Sequence, residues 1–302
     1  MKALIAVIGP TAVGKTDICI RLAQHFNTPI INADSRQIYK ELNIGTASPS
    51  PEEKRQAKFL FVDKLSVSDY YSAARYEQDA LEAINRIFTD HDITVLSGGS
   101  MMYVDAVTKG IDDIPTIDDA TRTFMRERLE KEGLEPLVKE LGILDPDYYK
   151  AVDRKNVRRI VHALEICYTT GKPYSSFRTN SSKSRPFKII KVGLSRPRQE
   201  LYERINARVD NMFEEGLLDE AQKLYPLRHL NALNTVGYNE LFRFFDGTMT
   251  LSEAKEKIKR NTRVYAKKQI TWYKRDEAIS WFHPDEYTSI LKFISKEIYE
   301  NT

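Results

Sequence analysis

GPTAVGKT, residues Gly9 to Thr16, follows the apolar run ALIAVI at residues 3–8 and opens KTDICIRLAQHF at residues 15–26. The octapeptide fits the spacing G-x-x-x-x-G-K-[ST], in which backbone amides cradle phosphates. Such a match carries meaning when a buried strand precedes it and an amphipathic helix follows, as they do here. Gly9 and Gly14 permit tight turns with positive φ. Successive amides then form an anion nest, and the start of the helix adds partial positive charge. Lys15 is placed to neutralise phosphate oxygens, the Thr16 hydroxyl to ligate Mg²⁺, and Thr11 to donate a further hydrogen bond. A nucleoside triphosphate is the usual occupant, but other diphosphates fit the same cradle.

Working outward, TPIINADS (28–35) reads as a second short strand, and SVSDYYSAARYEQDALEAINRIF (66–88) as an amphipathic helix with Ser68 as its N-cap. DITVLSGGS (92–100) is a third buried strand closed by Gly98-Gly99, and MMYVDAVTKG begins the next helix. This alternation predicts a parallel sheet with helices on both faces. The rhythm changes around Ile114-Pro115. Residues 117–183 are charged and helical: DDATRTFMRERLEKEG and RKNVRRIVHALEICYTTGKP both show helical periodicity, and Gly171 and Pro173 punctuate the second. NSSKSRP (180–186) reads as a linker, and FKIIKVGLSR (187–196) returns as a strand. Helices then run over 197–216, 217–225, 235–245 and 252–276, and AISWF (278–282) is a last strand. The expected fold is α/β: a P-loop core of residues 1–116 and 184–302, with a parallel sheet flanked by helices, plus a helical insertion domain over 117–183.

The bulk composition agrees. With 302 residues, 41% hydrophobic and 29% charged, the chain suits one large or two ordinary globular domains. No run approaches the roughly 18 apolar residues of a membrane span. The first apolar stretch is too short, and too soon broken by Gly9-Pro10 and Lys15, to be a secretory signal. Cys19 and Cys167, the two cysteines, lie in apolar helical patterns and read as buried hydrophobes, so neither a disulfide framework nor a zinc site is expected. A cytoplasmic, membrane-free protein follows as the expectation. A net charge of +3 says little, but its placement says more. Residues 255–275 carry nine Lys or Arg against one Glu, with Tyr265, Trp272 and Tyr273 interleaved. Cations meet phosphates and aromatic rings stack on splayed bases, which makes Lys267, Lys268 and Arg275 candidate RNA contacts. The plainer alternative is a solvated face backed by a buried aromatic stripe, with Trp272 and Tyr273 in the core.

Asp34 ends the second strand, where strand C-termini line the ligand crevice of open α/β sheets. Its carboxylate could bind metal, accept a proton, or simply close an Asx turn. Ser35, Gln37 and Tyr39 follow it and suit a polar ring such as a nucleobase edge. The third strand, by contrast, ends in LSGG without the acid that phosphotransferases usually place there as a metal ligand.

GPTAVGKT, NADSRQIY, IGTASP, LSGGSMMYV, RRIVHALE, TGKPYS and NTRVYAKKQITWYKR occur in this order. Together they resemble the tRNA dimethylallyltransferase family, the bacterial tRNA isopentenyltransferases, over nearly the whole chain. The resemblance implies transfer of the five-carbon group of dimethylallyl diphosphate to N6 of the adenosine 3′ of the anticodon (position 37), with diphosphate released. The cradle of Gly9, Pro10, Thr11, Ala12, Val13, Gly14, Lys15 and Thr16 would then hold the diphosphate, with Mg²⁺ on Thr16. Lys15, Thr16 and Arg208 would stabilise the leaving group, and Asp34 would serve as base for the N6 proton. The resemblance also assigns tRNA contacts to Asp34, Ser35, Arg36, Gln37, Ser100, Arg122, Arg158, Arg159, Ile160, Val161, His162, Gly237 and Tyr238. The expected partners are the tRNA anticodon stem-loop and dimethylallyl diphosphate, and a monomer is expected. Two departures stand out. The family's Gly-Gly-Thr-Gly-Leu-Tyr is Gly98-Gly99-Ser100-Met101-Met102-Tyr103 here, which places Met101 beside the expected channel entrance. The family's His-Pro-Asn-Asp run is replaced by residues 152–156, VDRKN. A P-loop small-molecule or nucleotide kinase is the alternative. A non-catalytic RNA-binding module and an adenylate isopentenyltransferase are further from the pattern.

Overall fold

The computed structural model describes residues 1–179 and 182–299. Asn180 and Ser181, at the start of the expected linker, lie outside the described residues. The chain divides into two compact units, Met1–Lys109 with Ser184–Thr302, and Gly110–Lys183.

The first unit is the α/β core. Its elements up to the division are β1 (Ala3–Ile8), α1 (Lys15–His25), β2 (Ile30–Asn32), α2 (Pro51–Gln56), β3 (Phe59–Leu60), α3 (Ala73–Asp90), β4 (Ile93–Ser97) and α4 (Met101–Thr108). The second unit holds α5 (Asp119–Glu132), α6 (Leu134–Leu144), α7 (Pro146–Ala151) and α8 (Val157–Thr170), around its own core of Met125, Leu137, Leu141, Ile160 and Leu164. The first unit resumes with β5 (Lys188–Leu194), α9 (Arg198–Glu214), α10 (Leu217–Leu224), α11 (Tyr238–Phe245), α12 (Leu251–Tyr273), β6 (Ile279–Phe282) and α13 (Tyr287–Tyr299).

The six strands form one sheet in the order β3-β2-β4-β1-β5-β6, and every pairing is parallel. Strand β1 shows why its residues are uniformly apolar. Side chains alternate across a pleated strand. Leu4, Ala6 and Ile8 enter one core, and Ala3, Ile5 and Val7 the other. Helices cover both faces: α3 and α11 contribute Ile84 and Leu241 to the first core, while α1, α9 and α13 contribute Leu22, Ile205 and Ile294 to the second. Cys19 joins the second core, and burial pushes its thiol up to about 12, so it is an inert hydrophobe.

Two details differ from the sequence expectation. Helix α3 is capped by Ser72, whose hydroxyl accepts the Arg75 amide at 3.2 Å; Ser68 lies before the helix. The loop after β2 carries α2 and the two-residue strand β3, too short for a periodic signal.

The turn after β4 leaves no room for a side chain at Gly98. A Cβ on Gly98 would stand 2.1 Å from the backbone of Ala33, directly before Asp34. Backbone cannot give way as a flexible side chain can. Gly98→Ala is therefore expected to destabilise the fold by about 3 kcal/mol, the upper range for overpacking. Chemical denaturation measures this, and a loss too small to detect would show that the strand ends are free to separate.

Candidate active site

The C-terminal ends of the parallel strands open onto a cavity of about 160 Å³. One wall is the loop after β1. Gly14 (φ +110°) precedes α1 and makes no side-chain cap, so the amides that begin α1 lack intrahelical partners and are available to an anion. The nest is narrower than the motif suggests. The Thr11 amide donates to Gln269 Oε1 at 2.8 Å, and the Val13 amide to the Pro10 carbonyl at 3.4 Å. Val13 is wholly in the core, and the carbonyls of Gly9 and Pro10 accept the Lys15 ammonium at 3.0 and 2.8 Å. These three residues shape the loop, while Thr11, Ala12, Gly14, Lys15 and Thr16 line the cavity.

Positive charge converges there. Burial, then the neighbouring Arg208, hold Lys15 down to about 8, with Asp34 pulling the other way. Helix α9 brings Arg204 and Arg208 to the same wall, four residues apart and so on one face. Arg204 Nε donates to the Ala12 carbonyl at 2.9 Å, and Arg208 Nη1 to Thr11 Oγ1 at 3.4 Å. Burial and the charge of Arg204 lower the Arg208 guanidinium from its ordinary value. A site that raises the cost of its own cations in this way favours an arriving anion.

Asp34 faces this cluster across the cavity. Its Oδ1 accepts the amides of Arg36 at 2.9 Å and Gln37 at 3.3 Å, which is the Asx turn. Its Oδ2 points to the β4–α4 turn: a Cβ on Gly99 would stand 2.9 Å from it. One oxygen thus builds the turn, and the other is presented at the cavity. Thr16, Asp34 and Ser97 all line the cavity. Among the described residues no cluster of three His, Cys, Asp or Glu side chains could hold a metal. That donor set suits Mg²⁺, which takes oxygen ligands and relies on substrate phosphates and water for most of them.

The IPP transferase profile matches residues 37–276. The chain is 58% identical to tRNA dimethylallyltransferase 1 of Bacteroides thetaiotaomicron, over 97% of this chain and 96% of that protein. It belongs to the tRNA dimethylallyltransferase family. The Christiangramia forsetii relative is 47% identical over 98% of each chain. Among solved structures, the full-length tRNA isopentenylpyrophosphate transferase of Bacillus halodurans aligns with a TM-score of 0.73 at 34% identity, covering 99% of this chain and 98% of that one. A eukaryotic dimethylallyltransferase, whose structures follow its action on tRNA, gives 0.74 at 27% identity over 90% of this chain and 70% of its own.

Several residues expected at the tRNA of a dimethylallyltransferase also hold the protein's own loops, and one of them, Gln37, lines the cavity as well. The Tyr238 ring is wholly buried, and its hydroxyl donates to Glu220 at 2.6 Å. Glu220 also accepts the amides of Asn43, Ile44 and Gly45 at 3.1, 2.8 and 2.9 Å. Gln37 Nε2 donates to the carbonyls of Thr46 and Ala47 at 3.1 and 2.9 Å. Residues Tyr238 and Gln37 therefore brace the IGTASP loop, with Gly237 (φ +101°) turning the chain into α11. Ser35 and Arg36 are half-exposed beside Asp34, and the Ser100 hydroxyl caps α4 by accepting the Tyr103 amide at 3.4 Å. Met101 packs on the core rather than lining the cavity.

Lys267 and Lys268 on α12, and Arg275 just after it, are exposed. Lys255 and Lys259 instead bind Asp210 at 2.7 and 2.9 Å. Tyr273 is core, as the plainer alternative has it; Trp272 is not, and its indole donates to Asp105 Oδ2 at 2.8 Å from an exposed position. In the second unit Asn156 caps α8, so the helix starts soundly without the family's His-Pro-Asn-Asp run. Arg158 and Arg159 are exposed and His162 half-exposed. Val161 is partly buried, and Ile160 is wholly buried in that unit's core, where its side chain cannot meet a ligand. Arg122 Nε donates to the Ile117 carbonyl at 3.4 Å.

Sequence reasoning missed Arg204 and Gln269, which line the cavity, and named Tyr265 only as one of the interleaved aromatics, without placing it there. The four-residue spacing from Arg208 could have flagged Arg204. Nothing in a lysine-rich helix marks its one glutamine as buried.

Proposed function

We propose that this chain transfers the dimethylallyl group of dimethylallyl diphosphate to the exocyclic N6 of an adenosine in the anticodon loop of tRNA, next to the anticodon at position 37. The observation that carries the reading is the opposition, within one cavity, of an anion cradle with three cations and an aspartate that keeps one oxygen uncommitted to its turn. The end of β4, Ser97-Gly98-Gly99, carries no acid, which sits poorly with the kinase alternative.

In this mechanism the allylic C1–O bond breaks and its electron pair leaves with the diphosphate. Lys15, Arg208, Arg204 and the first amides of α1 stabilise that charge as it develops. The adenine amine is a weak nucleophile because its lone pair is delocalised into the ring. As N6 bonds to C1, Asp34 Oδ2 takes the N6 proton. The base reaches the cavity by leaving its stack, at a cost of a few kcal/mol. Thr16 would hold Mg²⁺, which would supply further charge neutralisation. Exposed Arg158 and Arg159, with Arg122 and His162, offer the second unit's contribution to the anticodon stem-loop, and Lys267, Lys268 and Arg275 that of the core. A cytoplasmic monomer fits this role; no helix among the described residues is long and apolar enough to cross a membrane.

The test is incubation of the purified protein with labelled dimethylallyl diphosphate and tRNA transcript, followed by mass spectrometry of anticodon-loop fragments. A five-carbon mass increase on the adenosine supports the reading. Brisk ATP consumption with unmodified RNA would replace it with the kinase. Arg158→Ala is expected to weaken tRNA binding and to reduce the slope of log K against log salt by about one, as loss of a single phosphate contact does. Filter binding over a salt series measures both, and an unchanged slope removes Arg158 from the interface.

A further inference from the structure

We infer that Gln269 is a positioning residue that sets the separation between the diphosphate cradle and the Asp34 carboxylate, an inference that rests on the function proposed above. Gln269 is wholly buried on α12, between the apolar residues Ala266 and Tyr273. A buried carboxamide is costly unless both of its ends are bonded. Here both are, and to backbone of fixed polarity: Oε1 accepts the Thr11 amide at 2.8 Å, and Nε2 donates to the Gly99 carbonyl at 2.7 Å. The orientation of the amide is thereby unambiguous. One helical turn earlier the Tyr265 hydroxyl donates to the same Gly99 carbonyl at 2.8 Å.

The two loops so joined carry the opposed halves of the chemistry. Thr11 belongs to the cradle and takes the Arg208 hydrogen bond on its hydroxyl. Gly99 abuts the reactive oxygen: its missing Cβ would lie 2.9 Å from Asp34 Oδ2 and 3.3 Å from Gln269 Nε2. A continuous chain of contacts therefore runs from the cradle through one side chain to the base. The cradle and Asp34 sit on different strands, β1 and β2, which pair with β4 and not with each other. The sheet alone leaves the relative height of their loops to the turns that follow, and Gln269 spans that gap. Asparagine, one carbon shorter, would fall short of one partner. The diphosphate is gripped by Lys15, the arginines and the α1 amides, and none of these bonds to Gln269. Affinity for it does not depend on the bridge. Turnover does, because misplacing reacting groups by about 1 Å costs on the order of 10²-fold.

The experiment uses the full chain with Gln269→Met, which keeps the length and loses both bonds, and Gln269→Asn, which keeps the neutral carboxamide but is one carbon too short to hold both partners. Measured side by side with wild type are kcat per diphosphate-binding site, KM for tRNA, and Kd for inorganic diphosphate. We expect kcat to fall about 10²-fold in Gln269→Met and at least tenfold in Gln269→Asn, with KM and Kd within about threefold. A purely structural role would reduce the number of binding sites and leave kcat per site unchanged, which overturns the inference. So does a loss of diphosphate affinity in step with kcat. If one variant does not fold, the other decides. The wild-type arm reports on the function itself: no transfer there defeats the proposed function and the inference with it, whereas normal kcat in the variants defeats Gln269 alone.

Discussion

Replacing Asp34 with asparagine is expected to lower turnover by about 10²–10⁴-fold, the range for loss of a general base, while leaving tRNA affinity within about threefold. Asparagine is the informative choice because the carboxylate has two duties. Its Oδ1 holds the amides of Arg36 and Gln37, and an asparagine Oδ1 can do the same. Alanine would free both amides and let the Asp34–Gln37 turn drift, so that lost activity would report on turn and base together. In Asp34→Asn the turn stays, and the group facing Gly99 becomes a donor that cannot take a proton. Single-turnover rates with saturating substrates, set against tRNA binding by filter assay, separate the two effects. Equal losses in rate and binding would mean that Asp34 holds RNA, not a proton.

The same residue shows how far the sequence reaches. The strand-end position of Asp34, the cradle, the parallel alternation and the helical stretch after Ile114 were all legible, because each rests on local pattern: apolar period, motif spacing, punctuation by glycine and proline. The division of the chain at Lys109 and Gly110 lies before residue 117, since Gly110 (φ +81°) and the segment after it belong to the second unit's compact body without forming a regular element. What the sequence did not disclose is long-range. Glu220 looks like any acidic residue on an amphipathic helix, yet it gathers three loop amides from about 175 residues away in sequence. Tyr238 and Gln37 were legible as distinctive residues, but their bracing of that loop was not. Gln269 and Tyr265 sit in a basic, solvent-facing pattern, and only tertiary packing shows that their face of α12 is turned inward.

Lys15→Met carries the other large effect: an expected fall in turnover of about 10²–10³-fold, comparable to removing one oxyanion-stabilising group elsewhere. Its more specific signature lies in pH. In the unfolded chain the amine keeps its proton up to about 10.5, whereas in the folded protein it gives it up near 8. Between those values the unfolded state binds more protons, so this group's contribution to stability rises with pH across that window. The full cost of the buried ammonium is present below pH 8. A bound diphosphate reverses the balance by favouring the ammonium, so binding above pH 8 must take up a proton. Wild-type affinity for inorganic diphosphate is therefore expected to weaken as pH rises from 8 to 10, by up to about tenfold per unit. The diphosphate has its own titration in this range, and Lys15→Met reports it alone. Calorimetry with chelator present, in two buffers of different ionisation enthalpy, gives both affinity and protons taken up. The difference between wild type and variant is the lysine's share. Identical pH slopes in the two proteins would show that the amine is charged throughout, and that the cradle meets its anion without help from a strained cation.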